Sequence, residues 1–340
     1  LLNKDGYRYL QDYGLGPETP IGQPKSKYME LGPRDRVSQA FWQEQQKGRV
    51  IQGPMGDVVH LDLRHLGEKY LKERLPFICE LAKAYVNVDP AKEPIPVRPT
   101  AHYTMGGIET DNKCATRLAG LYAAGECASV GLHGANRLGS NSLSEIVVFG
   151  KLAGEQAGEF AKTQKHGNTE ALVAKAEALV KQHLSLLDID GTENPADIRN
   201  ELGTSMEAGV GIYRTEELMQ GTIDKINELK ARYKKVKIND RSSVFNTDLL
   251  YAIELGYMLD VAEAMAHSAI NRKESRGSHQ RLDGYEERDD VNFLKHTLSF
   301  YNNGETPSID YSDVKITKSQ PAKRVYGSEG EKQDEAKKNG

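Results

Sequence analysis

The stretch GLHGANRLGSNSLSEIVVFG, residues 131–150, limits most tightly what this chain can fold into. Glycine, arginine and asparagine crowd a short loop that runs straight into an apolar run of helical spacing. Ser142 and Glu145 fit the S-x-x-E capping box, which predicts a helix beginning near Leu143. Just upstream, GLYAAGECA reads as a short buried strand over 121–124 that stops at Gly125-Glu126. A strand, a glycine loop and a helix in that order belong to α/β architecture, where ligands gather at the carboxyl ends of strands.

What the loop can hold is narrowed by what it lacks. Gly134 to Gly139 has the G-x-x-x-x-G spacing of a nucleotide-triphosphate loop, but Ser140-Asn141 follows where lysine and Ser/Thr are needed. G-x-G-x-x-G, the usual dinucleotide fingerprint, occurs nowhere in the chain. There remains a helix N-terminus with unpaired N–H groups and partial positive charge, suited to an anion or an electron-rich ring edge. Glu126, at the end of the expected strand, can accept hydrogen bonds from sugar hydroxyls; a plain polar turn is the alternative reading.

Composition excludes several classes. The 340 residues are enough for about two domains. With 38% hydrophobic and 28% charged residues, a sizeable core is available. A net charge of −4 argues against a nucleic-acid partner. No apolar run approaches the roughly 18 residues of a membrane span, and no signal peptide is visible. Cys79, Cys114 and Cys127 form no C-x-x-C, which points to a reducing compartment and to no disulfide, zinc or iron–sulfur ligand set. The opening LLNKDGYRYL lacks methionine and reads as a hairpin cut inside its first strand, so a longer parent protein is expected.

Along the chain, 36–47 reads as helix. DVVHLDLRHL reads as a strand with Val58, His60, Asp62 and Arg64 on one face, and YLKERLPFICELAKAY as a helix interrupted near Pro76. The proline-rich DPAKEPIPVRPT reads as an extended connector. From about 167 to 275 three amphipathic segments predict a helical bundle; in the second, Leu218, Ile223, Ile226, Leu229 and Tyr233 share a stripe. HTLSFY and SDVKITK read as strands, and GSEGEKQDEAKKNG as a disordered tail. His102 stands just before the Gly106-Gly107 turn. Arg34, Arg98 and Arg137 are candidate forks for a carboxylate, although a lone histidine or arginine is more often structural.

RPTAHYTMGGIETD, GLYAAGECASVGLHGANRLGSNSL and RKESRGSHQRLD with ERDDVNFLKHT resemble the flavoprotein subunits of fumarate reductase and succinate dehydrogenase. The resemblance runs from NKDGYRYLQDYG to YSDVKIT. LQDYGLGPETP, KYMELGPRD and HYTMGGIET lean to the fumarate reductase side; L-aspartate oxidase, which shares the fold, fits these contexts less well. The chain departs from the family in lacking the G-x-G-x-x-G segment and the histidine that bonds FAD covalently, so about two-fifths of the family's subunit is expected to precede it.

The resemblance implies a multidomain α+β and α/β fold. Residues 1–98 would be an incomplete capping domain, 99–164 the returning part of a Rossmann-like FAD domain, 165–284 the helical bundle and 285–340 a small C-terminal region. By the same resemblance His102 and the Tyr103 backbone lie beside the flavin, and Glu126 binds FAD hydroxyls. Arg137, Leu138, Gly139, Ser140, Asn141, Ser142 and Leu143 wrap the isoalloxazine. His102 and Arg137 grip one carboxylate of fumarate, and Arg34 donates the proton opposite the hydride, reloaded through a glutamate and a second arginine outside this chain. The implied activity is fumarate reduction to succinate in anaerobic respiration. Succinate dehydrogenase running backwards, or a non-catalytic fragment, are the alternatives. The implied partners are fumarate or succinate, an iron–sulfur subunit and, through it, membrane anchor subunits, at the cytoplasmic face of the bacterial inner membrane.

Overall fold

The computed structural model describes residues 1–25, 28–54, 56–165, 167–318 and 320–322, in two compact units. One holds Leu1–His102 with the described stretch from Ile316; the other is Tyr103–Lys315. The expected disordered tail, 327–340, lies outside the described residues.

In the first unit, helix α1 (Arg34–Gln46) starts directly after Pro33, which supplies a fixed φ of −55° at the boundary. It buries Gln39, Ala40, Phe41 and Glu44, while Trp42 is half-buried. Phe41 and Ala40 join Tyr9, Leu10, Leu15, Met29 and Val59 in one core. Glu44, fully buried, accepts from the Asn3 amide at 2.8 Å and from the Tyr13 hydroxyl, so its charge is satisfied inside the unit. Strands β1 (Ile51–Gly53), β2 (Gly56–Leu61) and β3 (Ile95–Val97) form an antiparallel sheet with β2 central. Helices α2 (Glu68–Arg74) and α3 (Pro76–Val86) lie between β2 and β3, and the break falls where Pro76 opens the second of them.

Two sequence readings fail here. The proline-rich connector contains an edge strand: Ile95 pairs with Leu61 and Val97 with Val59, with Pro96 opposite His60. A proline is tolerated there because an edge strand leaves every second N–H unpaired. The opening residues do not form a hairpin either. Leu2 bridges His60, the chain turns at Lys4–Gly6, and Tyr9–Tyr13 is a 3-10 turn.

The second unit begins with two-residue strands β4 (Ile108–Glu109) and β5 (Ala128–Ser129), paired in parallel. Helix α4 (Asn141–Thr163) follows, then α5 (Thr169–Leu184), α6 (Pro195–Gly209), α7 (Glu216–Tyr233) and α8 (Thr247–Asn271). Side chains cap four of these helices: Asn168 on α5, Asn194 on α6, Thr215 on α7 and Asn246 on α8. Ile198 and Leu202 of α6, Met219, Ile223, Ile226 and Leu229 of α7, and Leu255 and Leu259 of α8 form the core. The expected stripe on α7 holds at Ile223, Ile226, Leu229 and Tyr233 and differs at its first position, where Met219 is inside and Leu218 is 49% exposed. Helix α6 escaped the sequence reading because its apolar residues are sparse. Strands β6 (Lys295–Asn302) and β7 (Glu305–Asp313) close a hairpin over Asn303-Gly304, both at positive φ as a two-residue turn requires. Residues 314–318, part of the expected second strand, lie beyond β7.

Candidate active site

The glycine loop is assembled from both sides within the second unit. Upstream, Gly107 has φ of 143°, and a Cβ there would lie 2.5 Å from the Cys127 carbonyl oxygen. Only glycine lets the two chains approach so closely, and Ile108 N–H then donates to that carbonyl at 2.9 Å. The same pairing brings Thr104 N–H to Glu126 Oε1 at 2.9 Å. Downstream, Ala135 C=O accepts from both Ser278 N–H, 3.0 Å, and Ser278 Oγ, 2.9 Å. Behind Ser278 lies a buried charged cluster. Glu274 accepts from Arg272 and Arg276, Arg281 pairs with Asp283 at 2.6 Å, and Arg214 donates to His279 Nδ1 at 2.7 Å.

Residues 121–124 do not form the expected strand. Tyr122 makes one isolated bridge to Ala115, and Ala123 N–H bonds Cys114 C=O across a tight turn. Gly120 and Gly125, both at positive φ, bracket the segment and leave it too short for a ladder. Glu126 therefore sits exposed on the turn before β5 and not at a strand end.

The expected capping box is also absent. Helix α4 begins at Asn141, two residues early; its N-cap is Ser140, in the left-handed region at φ 65°, and no side chain caps it. Glu145 does not reach back to the helix start because two other donors take its carboxylate. It is 3% exposed and accepts from Tyr103 OH at 2.9 Å and from His133 Nε2 at 2.6 Å, both on Oε2. Burial first, then the hydrogen bond and charge of Glu145, push the Tyr103 phenol up to about 12. The Arg137 guanidinium carbon lies over the Tyr103 ring, 4.4 Å from its centroid, and Nη1 donates to Leu138 C=O at 3.2 Å. Arg137 Nε and His133 Nδ1 are buried without a partner among the described residues. Leu138 and Leu143 are each 67% exposed, Gly139 and Ser140 are exposed, and Asn141 and Ser142 are half-buried.

Of the candidates named from sequence, Tyr103, Glu126, Arg137 and the loop to Leu143 belong to the second unit. Arg34 and His102 belong to the first. Arg34 opens α1, exposed, with Nη1 on Glu30 C=O at 3.3 Å; His102 is exposed. Arg98 packs against Gly56 at the start of β2, where a Cβ would fall 2.3 Å from its Nη1. Sequence reasoning missed His133 and Ser278 and gave Glu145 a capping role in place of the one it has. His133 stood in view within the loop, but no spacing rule links it to residues 30 positions upstream and 12 downstream.

The chain has close counterparts among known proteins. A family model described as FAD binding domain matches residues 1–143, and one described as fumarate reductase flavoprotein C-term matches 199–326. The fumarate reductase flavoprotein subunit of Serratia sp. (strain ATCC 39006) is 69% identical over 339 residues, 99% of this chain and 57% of that protein. The chain belongs to the fumarate reductase and succinate dehydrogenase flavoprotein family. A solved E. coli quinol fumarate reductase FrdA matches with a TM-score of 0.89 and 70% identity, over 96% of this chain and 56% of that one. The succinate dehydrogenase flavoprotein subunit of Coxiella burnetii is 41% identical over 88% of this chain and 50% of its own length. The chain spans about half the length of the curated family members it matches.

FAD is the family's cofactor, and the residues present fit it. An uncapped helix start, open leucines at 138 and 143, and a buried guanidinium N–H with no partner among the described residues suit a flat apolar ring with one polar, charge-accepting edge.

Proposed function

We propose that this chain is the substrate-handling part of a fumarate reductase flavoprotein, reducing fumarate to succinate in anaerobic respiration. The observation that carries the reading is Arg137: over the Tyr103 ring, beside an uncapped helix start, with a buried Nε that has no partner among the described residues. Such a fork suits a carboxylate. FAD, when bound and reduced, supplies the hydride. The Tyr103 backbone and Glu126 would hold it, and the loop Arg137–Leu138–Gly139–Ser140–Asn141–Ser142–Leu143 would enclose its ring, where the positive end of α4 would favour the negative charge of the reduced form.

Arg137 and His102 grip one fumarate carboxylate and draw electron density from the double bond. The hydride adds to one alkene carbon, and Arg34 gives a proton to the other, so that one hydride and one proton convert fumarate to succinate. An arginine, which holds its proton throughout the ordinary pH range, can serve as acid only if that proton moves as the hydride arrives and the carbon becomes basic. The domain assignment that goes with this reading is a capping domain over 1–98, the returning part of the FAD domain over 99–164, a helical bundle over 165–284 and a C-terminal region from 285. Among the described residues no helix is long and apolar enough to cross a membrane. On this reading, attachment to the cytoplasmic face of the inner membrane runs through an iron–sulfur subunit and anchor subunits. The reverse reaction uses the same groups; the 69% identity to a fumarate reductase subunit against 41% to a succinate dehydrogenase favours reduction.

The test is a pair of variants in the FAD-loaded holoenzyme containing this chain. Arg34→Lys keeps charge but loses the planar fork, and should abolish fumarate reduction with FAD retained. Arg137→Lys should raise KM as well as lower kcat. Near-normal kcat in Arg34→Lys means that the proton comes from elsewhere.

A further inference from the structure

Glu145, Tyr103 and His133 meet in a buried polar knot beneath Arg137. Tyr103 OH lies 3.3 Å from His133 Nε2, and the two rings stand edge to face at 89° with centroids 5.4 Å apart. Both polar groups converge on one oxygen of Glu145, at 2.9 and 2.6 Å. A carboxylate takes only donors, so the proton on His133 Nε2 points at Glu145. The phenol is thereby fixed at its oxygen end, and its rotation about the ring axis is limited by the edge contact with His133. What the ring then offers upward is a face of set position, made more electron-rich by hydrogen bonding to a carboxylate. The Arg137 guanidinium rests on that face. A loop arginine otherwise keeps many rotamers, and holding one of them is what a clamp for a planar anion needs.

We propose that Tyr103, His133 and Glu145 are positioning residues for Arg137, a pedestal that holds its guanidinium in one place for a dicarboxylate. The proposal rests on the reading above that Arg137 grips a substrate carboxylate. Glu145 touches no substrate; its charge reaches Arg137 through the tyrosine ring.

A double-mutant cycle on malonate binding tests this, measured by calorimetry on the oxidised FAD-loaded holoenzyme and so without turnover. Glu145→Gln keeps size and one acceptor but loses the charge; Tyr103→Phe keeps the ring and loses the hydroxyl. Each should weaken malonate binding about three- to tenfold, the range of a partly buried cation–ring contact. In an Arg137→Gln background neither substitution should weaken it further, because the group they act through is gone. Fully additive losses would make the knot merely structural and overturn the proposal. If Arg137→Gln alone leaves malonate affinity unchanged, the clamp reading itself fails, and the pedestal with it. Should Glu145→Gln not hold FAD, the Tyr103→Phe cycle decides between the same two outcomes, since the ring and its packing remain.

Discussion

Gly277 and Ala135 meet more closely than any other residue could allow. A Cβ on Gly277 would lie 2.5 Å from the Ala135 carbonyl oxygen, and its φ of +59° is one that side-chain-bearing residues avoid. Gly277→Ala should therefore destabilise the protein by about 1–3 kcal/mol in urea unfolding, through strain and a weakened double bond from Ser278 to Ala135. An unchanged urea midpoint would contradict that. Next to it, His279 donates from Nε2 to Arg272 C=O at 3.0 Å and accepts at Nδ1 from Arg214, so it is neutral. Burial first, then the charge of Arg214, hold its pKa down to about 3. The unfolded chain takes up this proton near pH 6.5, the folded one only near 3. Stability from this site is whole above about 6.5 and is lost as pH falls through that window, by at most about 1.4 kcal/mol per pH unit. His279→Gln, whose amide can both accept and donate, should flatten the dependence of the urea midpoint between about pH 7.5 and 4.5; an equal slope would refute it. At this scale the glycine loop and Arg137 stood out by their residue types, whereas Tyr103 was named only through the family resemblance. Glu145 was visible but misread, since a four-residue motif cannot show that donors from residues 103 and 133 compete for its carboxylate.

Capping separates helices that look alike in sequence. Thr215 accepts from Leu218 N–H and so caps α7, whereas Ser142 lies inside α4 and caps nothing. Thr215→Ala should cost about 1 kcal/mol in thermal or urea unfolding, and Ser142→Ala less than about 0.5 kcal/mol. Equal losses would restore the capping-box reading. Helices α7 and α8 were legible because long segments carry enough periods to reveal a buried face. Strand β3 was hidden by prolines that an edge strand can tolerate. The run at 121–124 looked like a strand because it is apolar, yet a strand also needs a neighbour of sufficient length, and sequence does not show the neighbour.

For the whole molecule, the apolar residues left outside are as informative as those within. Leu143, Ile146, Val147 and Val148 on α4 are all exposed, as are Leu172, Val173, Leu179 and Val180 on α5. Purified by itself, the chain should bind an apolar dye and self-associate, and Val147→Lys should reduce both. It should also give negligible fumarate turnover with added FAD and reduced viologen, because it carries no G-x-G-x-x-G to seat a pyrophosphate. Turnover matching a flavoprotein of the relatives' full length would overturn that expectation.

The chain has a single tryptophan, and it sits on α1 in the first unit. Indole fluorescence is thus a private signal of Leu1–His102 and blind to the helices of Tyr103–Lys315, whose melting far-ultraviolet circular dichroism would report. Followed side by side in one denaturation, the two optical signals would tell whether the units lose their structure together or in turn, with no label attached to either.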